Sequence, residues 1–350
     1  MSYSLKIANY SAIYGDRVSR GCSLCFQGSK AVIFVTGLCR ERCYYCPVGL
    51  NRIRKDVFYV NEKEVKSIDD MISEIERSGA DSASLTGGDP LERLERTISI
   101  IEALKSSFGS SFHLHLYTNG ILIRRDILKR LDRAGLDEIR FHPTEIATLK
   151  RINEAKRETS MSVGAEIPAI PGREKEIVDL AVFLDSIGAD FLNINELDVS
   201  ESNVDSLQLA GFIVSKDGKS IVGSAETALN AMREAMKLGL KIPIHFCPAS
   251  FKDRIQTRNR FLRTIRSDLK IYEKSTSEGT VIFGVLLDYD AHRTASYVEK
   301  GILFECRWGL CFHPDDLETI RKINVGRAAE IIESHPTDDR FVLNRERIMF

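Results

Sequence analysis

The chemistry-bearing residues of this 350-residue chain are its cysteines, and five of the eight crowd between positions 22 and 46. They are Cys22, Cys25, Cys39, Cys43 and Cys46, with Cys247, Cys306 and Cys311 far downstream. In a large chain with no secretory leader, clustered cysteines point to metal ligation rather than disulfides, because a reducing cytosol keeps thiols available as thiolates. Two templates compete for them. Pairing Cys22-x2-Cys25 with Cys43-x2-Cys46 gives the spacing of a zinc ribbon, a closed tetrahedral structural site, and leaves Cys39 over. Grouping Cys39, Cys43 and Cys46 as C-x3-C-x2-C puts three thiolates on one loop. Three thiolates can hold three irons of a 4Fe-4S cluster and leave the fourth iron open.

Such a loop needs a scaffold. Between Ala31 and His245, short apolar β-branched runs alternate with charged amphipathic stretches, the rhythm of βα units in a parallel sheet. Strands are predicted over 31–36, 82–86, 112–117, 138–142, 163–167, 191–195 and 241–246, and helices over 62–78, 93–106, 124–134, 145–156 and 175–187. Gly79, Gly135 and Gly188 close several of these helices. The fold class is α/β, a partial or complete parallel (β/α) barrel whose chemistry gathers at the C-terminal strand ends, with a smaller α+β C-terminal domain. Residues 1–30 form an N-terminal segment with the cysteine pair, 31–250 the barrel and 251–350 the C-terminal domain. After the sixth strand, Asp217-Gly218 marks a hairpin turn between 212–215 and 220–223, and Ser224 is placed to cap a helix over 225–238. Further on, strands are predicted over 280–288, 301–305 and 341–348, and a helix over 316–334.

The run Cys39-Arg40-Glu41-Arg42-Cys43-Tyr44-Tyr45-Cys46 resembles the signature of the radical SAM superfamily, including the aromatic Tyr45 before the last cysteine. Thr86-Gly87-Gly88-Asp89-Pro90, at the end of the second strand, is similar to the GGE-type turn that this family uses for the S-adenosylmethionine amino group. Asp89 stands where glutamate is commoner. The likeness covers about residues 21–250 and is strongest to archaeal-type relatives of pyruvate formate-lyase activating enzyme. It implies a 4Fe-4S cluster on Cys39, Cys43 and Cys46 that reductively cleaves S-adenosylmethionine to a 5′-deoxyadenosyl radical, which abstracts hydrogen from a substrate. It further implies cofactor contacts at Tyr45, Gly87, Gly88 and Asp89, and adenine contacts along Gly164–Pro168.

Strand alternation puts Glu138, Arg140 and His142 on one face and Gly164, Glu166 and Pro168 on the next. Arg140 and Glu166 either meet the S-adenosylmethionine carboxylate or ribose, or form an ion pair inside the barrel. Asn119, before Gly120, and Asn195 are candidate cofactor contacts or plain turn formers. Cys22, Cys25 and Cys247 are candidates for a second metal site holding iron, zinc or another cluster, with Cys306 or Cys311 as a fourth ligand. The alternative for the downstream cysteines is simple burial.

Composition sets the remaining bounds. The hydrophobic content is 43% and the formal net charge is -1, which excludes disordered and globally basic classes. Within 252–270, seven Lys and Arg face only Asp253 and Asp268, a local basic stretch suited either to tRNA phosphates or to pairing with nearby acids around 196–205. No apolar run spans a bilayer, so a cytoplasmic protein without a membrane partner is expected. Its partners would be an electron donor such as a ferredoxin or flavodoxin and a substrate that is tRNA or protein. The competing class is a non-catalytic zinc-ribbon protein that binds nucleic acid.

Overall fold

Apolar strands linked by amphipathic helices bury both faces by packing in a parallel sheet under a helical layer. The computed structural model describes residues 4–8 and 11–350. It begins with β1 (Leu5–Ala8) and β2 (Ser11–Tyr14), an antiparallel pair, then α1 (Arg20–Phe26) and β3 (Lys30–Thr36). After the short pair β4 (Tyr59–Val60) and β5 (Lys63–Glu64) come α2 (Ile68–Ser78), β6 (Ser82–Gly87), α3 (Leu94–Phe108), β7 (His113–Thr118) and α4 (Arg125–Ala134). β8 (Glu138–Phe141), α5 (Ile146–Glu158), β9 (Ser162–Ala169), α6 (Glu174–Ser186) and β10 (Phe191–Glu196) continue the alternation. α7 (Val204–Leu209) and α8 (Ser224–Lys237) then lead to β11 (Ile244–Cys247) and α9 (Ala249–Phe251).

The sheet order is β1-β2-β11-β10-β9-β8-β7-β6-β3-β4-β5, and the neighbours from β3 round to β11 are all parallel. Among the described residues β1 and β5 pair with nothing further, so the arc is a partial (β/α) barrel. Ile33, Leu85, Leu114, Leu116, Ile139, Val163, Leu192 and Ile194 alternate along its strands and are fully buried. Each contributes roughly 1.5–3 kcal/mol relative to exposure. α4 illustrates the helical layer: Ile127, Leu128 and Leu131 are buried on one face, and the Gly135 N–H, at φ 98°, returns to Leu131 and Asp132.

The opposite strand face is polar. His113, His115, Tyr117, Glu138, Arg140, Glu166 and Asn193 alternate along β7 to β10, and α1 caps this interior at the N-terminal strand ends. Ser19 accepts from the Cys22 N–H as the α1 N-cap, and the Gly21 N–H donates to Glu138 Oε2 at 3.0 Å. A side chain at Gly21 has no room, since its Cβ would stand 2.3 Å from the Arg140 guanidinium.

Chain compactness divides the protein into one unit running to Ile72 with Asp81–Thr257, and another of Ser73–Ala80 with Arg258–Phe350. The second unit contains α10 (Arg258–Asp268), β12 (Lys274–Ser275), β13 (Val281–Leu287), α11 (Ala291–Glu299), β14 (Phe304–Cys306), β15 (Gly309–Phe312), α12 (Leu317–Ile323), β16 (Ala328–Ser334) and β17 (Val342–Met349). Its antiparallel sheet runs β14-β15-β13-β16-β17, with β12 also on β13. Phe283, Phe312, Ile320 and Ile332 are fully buried there.

Four local expectations are corrected. The helix over 316–334 ends at Ile323, where Asn324 turns left-handed at φ 50°, and residues 328–334 are the strand between β13 and β17. The helix over 62–78 starts only at Ile68, because its first residues close the β4–β5 pair through the Val65 N–H to Phe58 carbonyl bond. Ser224 does not cap α8. It is buried, donates to the Ala169 carbonyl and accepts from the Leu197 N–H, while Gly223 takes the cap position. The hairpin after the sixth strand reduces to single bridges, Val214 with Ile221 and Asp198 with Ser220.

Candidate functional site

The cysteine loop leaves β3 after Thr36 and returns at β4. Its root is tied by Gly37 N–H to Lys55 carbonyl and Arg54 N–H to Gly37 carbonyl bonds, both 2.8 Å. Gly37 is forced by this approach, since a Cβ would fall 1.8 Å from the Arg52 carbonyl oxygen. Asp56 accepts from Thr36 Oγ1, Arg93 and Arg96 at 2.8–2.9 Å. Burial opposes its charge, yet the Arg96, Arg93 and Thr36 hydrogen bonds hold its carboxyl down to about 2.

Cys39, Cys43 and Cys46 are partly buried and line one cavity of about 330 Å³. Burial pushes the Cys39 thiol up to about 11, although Asn119 Nδ2 donates to its sulfur at 3.5 Å, and burial likewise raises Cys43. Metal coordination must therefore displace these protons. The cavity's other walls bring in Gly87, Gly88, Asn119, Glu166, Asn195 and Tyr45, all named from the sequence. Gly88 donates to the Thr36 carbonyl at 2.8 Å, and a Cβ there would sit 2.3 Å from the Leu38 carbonyl oxygen. The glycine turn is thus required first by its contact with the root of the cysteine loop.

Asp89 and Arg140 are placed differently from the other candidates. Asp89 is buried behind the cavity wall and accepts from the Leu91 N–H, Thr118 Oγ1 and Asn119 N–H at 2.9–3.1 Å. It fixes the turn rather than lining the cavity, and burial raises its carboxyl to about 6. Arg140, also buried, lies outside the cavity lining and donates to Glu138 at 2.6 Å and Glu166 at 2.7 Å. The ion pair expected inside the barrel is formed, and Glu166, unlike Arg140, also lines the cavity. Burial disfavours the Glu166 charge, but Arg140 and the Asn195 and Asn193 amides bring its carboxyl below the usual range. The cavity therefore receives a carboxylate held in place on three sides.

The donor set fits an iron-sulfur cluster: three thiols of one loop share a cavity with polar groups opposite and room for a small ligand. Among the described residues, no three His, Cys, Asp or Glu side chains converge to hold a metal ion. A cluster binds each thiolate to a different iron and does not need that convergence. Cys22 and Cys25 lie on α1, away from the cavity lining, and Cys247 ends β11 with the Gln256 amide 3.4 Å from its sulfur. Burial raises all three thiols, and Cys22 and Cys25 both act electrostatically on Cys247, so the arc brings the pair toward that cysteine, although among the described residues no three such groups converge on a single metal-ion position. Cys306 and Cys311, offered as fourth ligands, are instead joined in a disulfide between β14 and β15. The strand pairing brings them together, which their spacing alone did not reveal.

Sequence reasoning named Tyr45 and His142 without pairing them, and missed the other residues that hold the loop. Tyr45 OH stands 2.9 Å from His142 Nε2, and Tyr44 stacks on Phe212 at 6.4 Å between ring centroids. Asp56, Ser202 and Asn203 anchor the loop, and their types are too common in turns to stand out in a single sequence.

Comparison with known proteins gives the family. The Radical SAM superfamily profile matches residues 33–163. The chain is 36% identical over 353 aligned positions, 94% of its length and 92% of the relative's, to a Methanocaldococcus jannaschii protein with the provisional name glycyl-radical enzyme activating enzyme. The chain belongs to the radical SAM superfamily and is a radical SAM enzyme. Among solved structures, Streptococcus suis SuiB bound to S-adenosylmethionine matches at TM-score 0.45 and 12% identity, over 63% of this chain and 50% of that one. Escherichia coli coproporphyrinogen III oxidase matches at TM-score 0.40 and 10% identity, over 87% and 92%. Likenesses this distant say nothing of substrate. Among the described residues no helix is long and apolar enough to cross a membrane.

Proposed function

We propose that this enzyme generates a 5′-deoxyadenosyl radical to abstract hydrogen from a polypeptide, with its electron supplied by a ferredoxin- or flavodoxin-type donor. The carrying observation is the convergence of Cys39, Cys43 and Cys46 with Gly87, Gly88, Asn119, Glu166 and Asn195 on one cavity. A 4Fe-4S cluster on the three cysteines supplies the electron that cleaves S-adenosylmethionine to methionine and the 5′-deoxyadenosyl radical. The chain's own residues bind and orient. Glu166 presents a fixed carboxylate suited to ribose hydroxyls, Asn195 adds an amide already bonded to it at 2.8 Å, and the Gly87–Gly88 backbone lines the same cavity, where it would take the amino-acid end.

A polypeptide substrate is favoured by the shape of the interior. Below Glu166 the arc is filled by Arg140, Glu138 and α1, so a reacting carbon must enter from the strand-end side. The cavity of about 330 Å³ adjoins a second of about 710 Å³ that shares Cys43, Tyr45, His142 and Pro168 with it, an arrangement that suits a flexible segment reaching in from a larger molecule beside the bound cofactor. The relative's name also points to a protein target. A tRNA reading rests on residues 252–270. There, Lys252 pairs with Asp198, Lys270 with Asp268, and Arg263 donates to the Gly79 carbonyl, so part of that charge is engaged within the fold.

The test is isotope transfer. Reduced, cluster-loaded enzyme is given S-adenosylmethionine with fully deuterated extract, fractionated into protein, RNA and small molecules. Deuterium in 5′-deoxyadenosine from the protein fraction supports the proposal. Deuterium only from RNA or small molecules overturns it.

A further inference from the structure

The segment between β10 and α8, residues 197–223, reaches the cysteine loop through contacts that S-adenosylmethionine chemistry does not itself require. Asn203 is buried at 1% exposure. Its Nδ2 donates to the Tyr45 carbonyl at 3.0 Å and the Asp198 carbonyl at 2.9 Å, while its Oδ1 accepts from the Ser200 N–H at 2.8 Å. One amide group thus joins the segment's own turn to the backbone between Cys43 and Cys46. Ser202 Oγ donates to the Cys46 carbonyl at 3.2 Å.

Side-chain packing reinforces the hydrogen bonds. Phe212 lies parallel to Tyr44, with 3° between ring planes. Tyr44 and Tyr45 pack on the buried group Ile170, Leu197, Leu207 and Ile221. The segment is anchored in turn: Asp198 pairs with Lys252 at 2.5 Å, and the neighbouring Glu196 accepts from the Ala249 N–H at 2.9 Å. The loop is therefore held at its root by Asp56 and at its cysteine-bearing end by this segment.

We infer that residues 197–223 act as a strap holding Cys43 and Cys46 at cluster-binding geometry, with Asn203 as the positioning residue. The inference rests on the radical SAM reading for the identity of what the loop holds, but the strap contacts stand in the chain itself. A loop that is one hydrogen bond looser samples more conformations, so its thiols react faster and a bound cluster is lost sooner. Cys39, at the other end of the loop beside Asn119, lies outside these contacts.

The test compares wild type with Asn203→Ala, with Ser202→Ala as a milder variant should the first fold poorly. In the cluster-free chain, alkylation of each cysteine is followed by mass spectrometry. In the reconstituted protein, iron release to a chelator is timed. Asn203→Ala is expected to speed alkylation of Cys43 and Cys46 and iron release by about tenfold, and Ser202→Ala by a smaller factor in the same sense. Cys39 and Cys247 should keep their wild-type rates. Equal rates in wild type and both variants overturn the strap, as does acceleration at all four cysteines together, which is the signature of general destabilisation. A wild type that binds no iron through Cys39, Cys43 and Cys46 contradicts the radical SAM reading instead, while the alkylation rates still decide the strap.

Discussion

Tyr45 and His142 join the cysteine loop to the end of β8 through a 2.9 Å hydrogen bond. The His142 Nδ1 lies 3.1 Å from the Glu166 carbonyl oxygen, so Nδ1 carries the proton and Nε2 accepts from the Tyr45 hydroxyl. Burial keeps the imidazole neutral by lowering its pKa. Tyr45→Phe leaves that nitrogen without a donor, and the folded chain should lose about 1–2 kcal/mol. Urea unfolding of the metal-free protein measures it, and unchanged stability would show the bond to be incidental.

Asp89 separates two roles that the motif alone does not. As the acceptor for Leu91, Thr118 and Asn119, it should cost about 1–2 kcal/mol of stability when changed to asparagine, which accepts fewer of these bonds. S-adenosylmethionine affinity should change by less than about threefold, because the side chain does not line the cavity. Tenfold weaker binding at full stability would mark a direct ligand.

Lys30 makes the barrel interior pH-dependent. Burial, with the Arg140 charge near, lowers it to about 7, and its amine donates to the Ala83 carbonyl at 3.1 Å. The unfolded lysine titrates near 10.4, so between those values the unfolded chain holds more protons and stability rises with pH. The deficit is complete below about pH 7 and is relieved toward pH 10. Lys30→Met should abolish this slope, so that wild type gains about 2 kcal/mol over the variant between pH 7 and 9. Parallel pH profiles from chemical denaturation would contradict it.

Arg140 neutralises two buried carboxylates. Arg140→Met strands Glu138 and Glu166 without their cation and should cost about 3–5 kcal/mol. Arg140→Lys should recover little, because a single ammonium does not match a fork spanning two acids. Full recovery with lysine in thermal unfolding would show that charge alone suffices.

The parallel arc was legible because β3 and β6 to β10 are short runs with apolar residues at alternate positions between turn residues, a signal contained within a few positions. Residues 328–334 were read as helix because Ala-Ala-Glu-Ile-Ile-Glu-Ser suits either period, and its place between β13 and β17 is a tertiary decision. The loop cysteines and Gly87-Gly88 were picked out by their resemblance to the radical SAM signature, and the structure brings them to one cavity. Asp56, Ser202 and Asn203 act through backbone carbonyls and side chains far away in sequence, so no local pattern marks them. Arg140 was found but its task was open, since strand alternation gives the face and not the partner.

The most direct measurement is made on anaerobically reconstituted wild type and Cys39→Ala, counting iron and sulfide and then adding reductant and S-adenosylmethionine. Wild type should hold about four irons per chain and release methionine and 5′-deoxyadenosine, and Cys39→Ala should lose both the cluster and the products. Metal retained in Cys39→Ala, together with no 5′-deoxyadenosine from fully loaded wild type, would contradict the account and favour a structural zinc site.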